Sequence, residues 1–273
     1  MDKWARTAAL VAFASLLAPA IAAPVPGGLA KVDLGSGDAA PHLRPEARVG
    51  ESRVLVMREG GRWYAIVGIA LATEPGSRLT VDVEYPGGSR GSYEIPVGTK
   101  KYREQHLKVP AERDDLSAHE LEQFERERAR LTQLLRTFSE PPPATLALVA
   151  PARGRRTGSF GLRRVINGLP RNPHTGLDIA APTGTPVLAA AGGRVIDRGT
   201  YFFLGETVVL DHGHGLISLY SHLRKSYPQV GESVAASAPI GEVGATGRAT
   251  GPHMHFAVYL NGVAVDPALL LRR

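Results

Sequence analysis

Two short segments carry side chains that could bind a metal. In Pro173-His174-Thr175-Gly176-Leu177-Asp178 a histidine and an aspartate stand four residues apart, and in Gly251-Pro252-His253-Met254-His255-Phe256 one residue separates two histidines. Four-residue spacing suits one face of a helix, but Pro173 and Gly176 oppose a helix here, so the first pair is read as a loop running into a strand. On a strand, alternate residues point the same way, so His253 and His255 present two imidazoles on one face. A His/Asp/His set with an open fourth position is the donor arrangement of a catalytic zinc, which activates water near neutral pH. The chain has no cysteine, which excludes disulfides, thiolate nucleophiles, cysteine zinc sites and iron-sulfur clusters, and leaves histidine and carboxylate as metal ligands. A second pair at the same spacing, in Asp211-His212-Gly213-His214-Gly215, is flanked by glycines. It reads as an exposed, flexible hairpin tip, poorly organised for a metal, and is assigned a structural role.

Six of the nine histidines lie between Ala144 and Arg273, so the elements that must position the chemistry are there. PVLAAA and RVIDRG read as one strand pair about Gly192-Gly193, ETVVLDH and LISLYSHL as another, and HFAVYL with VAV as a hairpin closed by Asn261-Gly262. An antiparallel sheet or open barrel is expected over residues 144–273. Upstream, over 27–110, RVLVM, WYAIVGIAL, RLTVDVEY, SYEIPV and YREQHLKV alternate with turn clusters, the pattern of a small β-sandwich-like domain. His42, His106 and His119 are isolated and suggest no site.

Between these regions, over 111–143, one helix and a linker are expected. Ser117 and Glu120 form a capping box, and Leu116 can staple onto Leu121. Leu121, Phe124, Leu131, Leu135 and Phe138 would share a face, while Glu122 with Arg126, Glu125 with Arg128 and Glu127 with Arg130 would pair across a turn. Pro141-Pro142-Pro143 ends the helix in a stiff linker. With 43% hydrophobic and 21% charged residues, 31 glycines and 21 prolines, the chain is globular and mainly β.

A net charge of +6 favours an anionic partner: nucleic acid, an acidic membrane surface or an acidic cell-wall polymer. The N-terminus bears on this choice. Lys3 and Arg6 precede an apolar core from Ala8 to Ala18, and Ala20 and Ala22 form an A-x-A site, so residues 1–22 read as a secretory signal cut after Ala22. The alternative is an uncleaved anchor. Export excludes nucleic acid as partner, and the lack of cysteine excludes a lipoprotein.

SFGLRR with Asn167-Gly168, PHTGLDIAAPTGTPVLAAAGGRV, VVLDHGHGLISLYSHL, and GATGRATGPHMHFAVYLNG followed by VDP resemble the successive motifs of the LytM/lysostaphin-type zinc metallopeptidases, which hydrolyse peptidoglycan peptides. The resemblance covers Ala150 to Pro267. The upstream strands resemble the accessory domain of some exported Gram-negative members. By this similarity, His174, Asp178 and His255 match the ligands of one zinc ion. His222 and His253 match two further active-site histidines, His253 as general base and His222 as transition-state stabiliser, or with these roles exchanged. His212 and His214 match a loop that is not a ligand.

The resemblance implies a periplasmic zinc endopeptidase acting on the peptide cross-links of peptidoglycan, with peptide stems as substrate and a cell-envelope protein as regulator or recruiter. The bond implied joins D-alanine to a diamino acid. Some relatives are catalytically silent activators of a cell-wall amidase, but all five motif positions are present here, which favours the enzyme; a general secreted protease is the weaker third reading. Latency is a further expectation: the accessory domain, the capped helix or the Asn167 loop would cover the groove.

Overall fold

In the computed structural model, which describes residues 24–36, 43–108 and 116–272, the turn-punctuated runs of the N-terminal half form strands. The signal segment and His42 lie outside the described residues. Strands β1 (Leu29–Ser36), β2 (Glu46–Val49), β3 (Ser52–Glu59), β4 (Arg62–Gly68), β5 (Arg78–Glu84) and β6 (Arg90–Pro96) make one antiparallel sheet in the order β1-β4-β3-β2-β5-β6. Strand β3 serves both halves of it: Ser52, Arg53 and Val54 pair with β2, whereas Leu55 to Glu59 pair with β4. The two halves share one core that includes Leu34, Val56, Val67, Val81, Val83 and Ile95, which gives the sandwich-like form. Period-2 alternation explains it, since along β5 Val81 and Val83 are buried while Thr80, Asp82 and Glu84 are exposed.

The next strand, β7 (Glu104–Leu107), departs from the expected grouping. YREQHLKV was read with the accessory domain, but β7 pairs in parallel with β9 (Arg163–Ile166) of the C-terminal region, which also pairs with β10 (Leu169–Pro170). Helix α1 spans Ala118–Leu134 and has the expected capping box, with Glu120 N–H donating to Ser117 Oγ and Ser117 N–H donating to Glu120 Oε2. Glu122 pairs with Arg126 and Glu125 with Arg128. Glu127 and Arg130 do not pair with each other. Glu127 accepts from the Phe202 N–H and Arg130 pairs with the buried Asp197, because docking on the C-terminal sheet offers both better partners than a solvated turn. Leu131 and Leu135 pack on that sheet, but Leu121 is 49% exposed and Phe138 lies beyond the helix end.

The C-terminal region is a nearly closed antiparallel sheet of ten strands: β8 (Arg155–Gly158), β11 (Leu177–Ala180), β12 (Pro186–Leu188), β13 (Gly193–Tyr201), β14 (Gly205–Asp211), β15 (Ile217–Ser226), β16 (Ser233–Val234), β17 (Pro239–Val243), β18 (His253–Leu260) and β19 (Val263–Val265). Its main order is β16-β13-β14-β15-β18-β11-β8. The β14–β15 and β18–β19 pairs are as expected. The PVLAAA and RVIDRG pair is not, since β12 pairs with β17 and β13 with β14 and β16. One face of this sheet buries Leu177, Ile179, Tyr220, Met254, Phe256 and Val258 in the main core. That core also takes in Leu29, Leu55 and Ile66 from the outer side of the N-terminal sheet, so the two regions share apolar packing. The opposite face is half covered by α1, over Ile217, Leu219 and Ala257, and its other half carries the histidines.

Candidate metal centre

Sheet register brings the candidate ligands together. Asp178 on β11 is the Cα partner of His255 on β18, and His255 in turn pairs with Ser221 on β15, while Gly158 on β8 lies on the other side of Asp178. Directly paired residues project from the same face, so this row puts the carboxylate against the imidazole. His174, on the loop before β11, completes the group. Its Nε2 lies 3.0 Å from Asp178 Oδ1 and 3.0 Å from His255 Nδ1, and His255 Nδ1 lies 2.9 Å from Asp178 Oδ1. Among the described residues, these three are the group of histidine and carboxylate side chains close enough to hold an ion.

The ring tautomers follow from backbone carbonyls, which only accept. His174 Nδ1 is 3.0 Å from the Ser159 carbonyl and must donate to it, so Nε2 carries a lone pair in the neutral ring. That lone pair faces a carboxylate oxygen. Burial alone would raise the Asp178 pKa, but the His174 and His255 rings beside it, which donate to and attract the carboxylate whenever they carry the extra proton, outweigh it and hold the carboxyl well below the usual range. Burial pushes the His255 pKa down. An anionic carboxylate with neutral imidazoles is the protonation state a divalent cation needs, and the two nitrogen donors and one oxygen donor suit zinc.

His222 and His253 complete the expected set. Strict alternation along β15 would turn His222 to the core with Tyr220, but its backbone is left-handed, φ 61°, which breaks the alternation. Its ring centroid lies 4.6 Å from that of His253 and 6.2 Å from that of His255. His222 Nδ1 donates to the Thr246 carbonyl at 2.9 Å and His253 Nδ1 to the Gly251 carbonyl at 2.8 Å, so both present Nε2 as a proton acceptor. Burial lowers the His222 pKa to about 4, which keeps that acceptor available at neutral pH.

Sequence reasoning missed the residues that make room for these groups. A Cβ on Gly158 would sit 2.1 Å from Asp178 Oδ2, and one on Gly176 would sit 2.5 Å from His255 Cε1, so both positions require glycine. Gly176 had signalled only that the segment is not helical. The accessory region also reaches the site. Gly161 N–H donates to the His174 carbonyl at 2.7 Å and His174 N–H to Leu162 at 3.0 Å, while Arg163 N–H and Asn167 N–H donate to Arg103 and Leu107. The Tyr102 ring covers Gly161, where a Cβ would lie 2.0 Å from Tyr102 Cδ1. Asn167 is an exposed, left-handed turn residue between β9 and β10.

His212 and His214 take no part in the group, but they are buried rather than exposed. His212 bridges the Gly192 carbonyl at 2.8 Å and Ser218 Oγ at 2.6 Å. His214 is covered by the end of the helix segment and the start of the expected stiff linker: Phe138 stacks on it, Glu140 lies 2.8 Å from its Nε2, and its N–H donates to the Ser139 carbonyl. His106 is exposed.

Comparison with known proteins agrees with this architecture. Residues 172–267 match Peptidase family M23, and residues 22–100 match the Peptidase family M23 N-terminal domain. A crystal structure of an M23 peptidase from Pseudomonas aeruginosa is 41% identical, with a TM-score of 0.76, covering 92% of this chain and 96% of that one. The DD-carboxypeptidase/endopeptidase Mpg of Neisseria meningitidis is 44% identical over 94 residues, and the peptidoglycan DD-endopeptidase ShyC of Vibrio cholerae is 40% identical over 95. Each of these two alignments covers 34% of this chain but only 22% of the relative's length. M23 peptidases are zinc-dependent, and the His-Asp-His group is present here. Matched along nearly its whole length, the chain belongs to peptidase family M23.

Proposed function

We propose that this protein is an exported zinc endopeptidase that hydrolyses the peptide cross-links of peptidoglycan in the periplasm. The observation that carries this reading is the convergence of His174, Asp178 and His255 within 3.0 Å of one another, beside two further imidazoles with their acceptor nitrogens free. The alignments to peptidoglycan endopeptidases support the substrate class.

His174 Nε2, Asp178 Oδ1 and His255 Nδ1 would hold the zinc. Bound there, zinc supplies a Lewis acid that polarises a carbonyl and makes water acidic near neutral pH. His253 Nε2 would take a proton from the attacking water and return it to the leaving amine. His222 would stabilise the developing oxyanion as a donor only after a proton reaches its Nε2, and the exchanged assignment, with neutral His222 Nε2 taking the water's proton and passing it to the amine while His253 faces the oxyanion, is equally compatible with their 4.6 Å ring separation. The carbonyls of Thr246 and Gly251 hold both rings in one tautomer, so neither reorganises as charge develops.

Isolated sacculi and purified cross-linked dimers test the reading, with and without a chelator. Dimers should become monomers, and the chelator should stop it. Release of whole stems from the glycan would make the protein an amidase, and intact dimers alongside faster action of an added amidase would make it an activator.

A further inference from the structure

From Pro141 to Leu177 the sequence holds six arginines and no aspartate or glutamate. The first acid after this stretch is Asp178, already engaged by His174 and His255. The segment thus carries no acidic residue of its own, and it includes β8, the strand beside β11 at the end of the main sheet order.

Register decides which of these arginines faces the site. Ala180 pairs with His253 on one side and with Arg155 on the other. The row Arg155-Ala180-His253 thus runs next to the row Gly158-Asp178-His255 on the same face. A register shift in β8 at Thr157 makes this assignment, for without it Arg156 would stand opposite Ala180. Two strand spacings separate Arg155 from His253, about 10 Å between backbones. The floor between them is low, formed by the methyl of Ala180 and flanked by Gly158, with Gly244 bridged to His253 on the far side. The Arg155 side chain is exposed and makes no ion pair or hydrogen bond among the described residues.

We propose that Arg155 binds a free carboxylate of the substrate close to the bond that is cut, so that the site selects peptides with an anionic group beside the scissile amide. This rests on the peptidoglycan reading above. A cross-link made through the side-chain amine of a diamino dicarboxylic acid carries such a carboxylate on the carbon next to the amide nitrogen. Amidation of that carboxylate removes the charge. A guanidinium matches a carboxylate in bidentate geometry, and it is the longest cationic reach available from this row.

The test compares two cross-linked dimers, one with this carboxylate free and one with it amidated, as substrates of the full chain. Wild type should cut the free form with kcat/KM at least about tenfold higher, Arg155→Gln should raise KM for the free form by a similar factor and leave the amidated form unchanged, and Arg155→Lys should restore part of the preference. Arg156→Gln, with the same change in net charge, should behave as wild type. Equal use of both dimers by wild type, or equal losses in Arg155→Gln and Arg156→Gln, would overturn the assignment while leaving the peptidoglycan reading intact. Cleavage of neither dimer would reject that reading, and the assignment with it.

Discussion

With its Nδ1 proton given to the Ser159 carbonyl, neutral His174 offers only a lone pair to Asp178, so a nitrogen lone pair faces a carboxylate oxygen. A cation between them resolves this, which makes each ligand necessary. Asp178→Ala should purify with little zinc by elemental analysis, and full occupancy would remove it from the ligand set. His222→Ala and His253→Ala should instead keep zinc and lose about 100-fold or more of the rate, as expected for proton-transfer and oxyanion groups. A metal-free but folded variant at either position would show a misassigned ligand. Gly158→Ala tests the space around the carboxylate. Its Cβ would lie 2.1 Å from Oδ2, so Asp178 must move and zinc affinity, measured by chelator competition, should fall. Unchanged affinity would mean that β8 shifts freely.

Strand β7 and Tyr102 connect the accessory region to the loop that holds His174. Tyr102 lies between Gly27 and Gly161, and its hydroxyl donates to Pro26 at 2.7 Å. Tyr102→Ala should therefore weaken zinc binding, whereas Tyr102→Phe, which keeps the ring, should bind nearly as wild type. Equal affinity in all three proteins would confine the accessory region to a packing role. At the β14–β15 turn the relevant quantity is stability. Burial holds the His212 pKa below its ordinary value of 6.5, so below that pH the unfolded chain takes up a proton that the folded chain refuses. Stability contributed by neutral His212 is complete above pH 6.5 and declines as the pH falls, by at most about 1.4 kcal/mol per pH unit. Thermal melts from pH 7 to pH 5 should show this decline, and it should be shallower in His212→Asn.

Leu29, Leu55 and Ile66 of the N-terminal sheet enter the same core as Leu260 and Val265 of the C-terminal sheet, and Gly68 N–H donates to Asn261 Oδ1 at 2.8 Å. Fully burying each such aliphatic side chain is worth about 1.5–3 kcal/mol, so the shared core is of the order of a domain's net stability. A fragment starting at Ala144 should thus melt well below the full chain rather than emerge as a freed, more active enzyme. An equally stable fragment of higher specific activity would restore the latency expectation. Charge also acts at this scale. The excess of basic residues should draw the protein to the carboxylates of peptidoglycan, and binding to sacculi should weaken as salt is raised through the range where the Debye length falls from about 30 to 8 Å.

The donor types, the absence of cysteine, the capping box at Ser117 and the period-2 strands were legible in the sequence, because each depends on residue identity over a few positions. So was the site's composition once the four motifs were read together. What the sequence left open was everything set by pairing between distant strands. Asp178 meets His255 because β11 and β18 are neighbours in one register, and Arg155 rather than Arg156 takes the site face because β8 shifts by one residue. His222 reaches the site only through a left-handed backbone that a strand pattern does not predict. The Glu127, Arg130 and Phe138 assignments failed for a related reason. Spacing along one helix identifies the partners a side chain could have in isolation, but a docked surface offers buried carboxylates, backbone N–H groups and rings from residues far away in sequence, and those contacts prevailed.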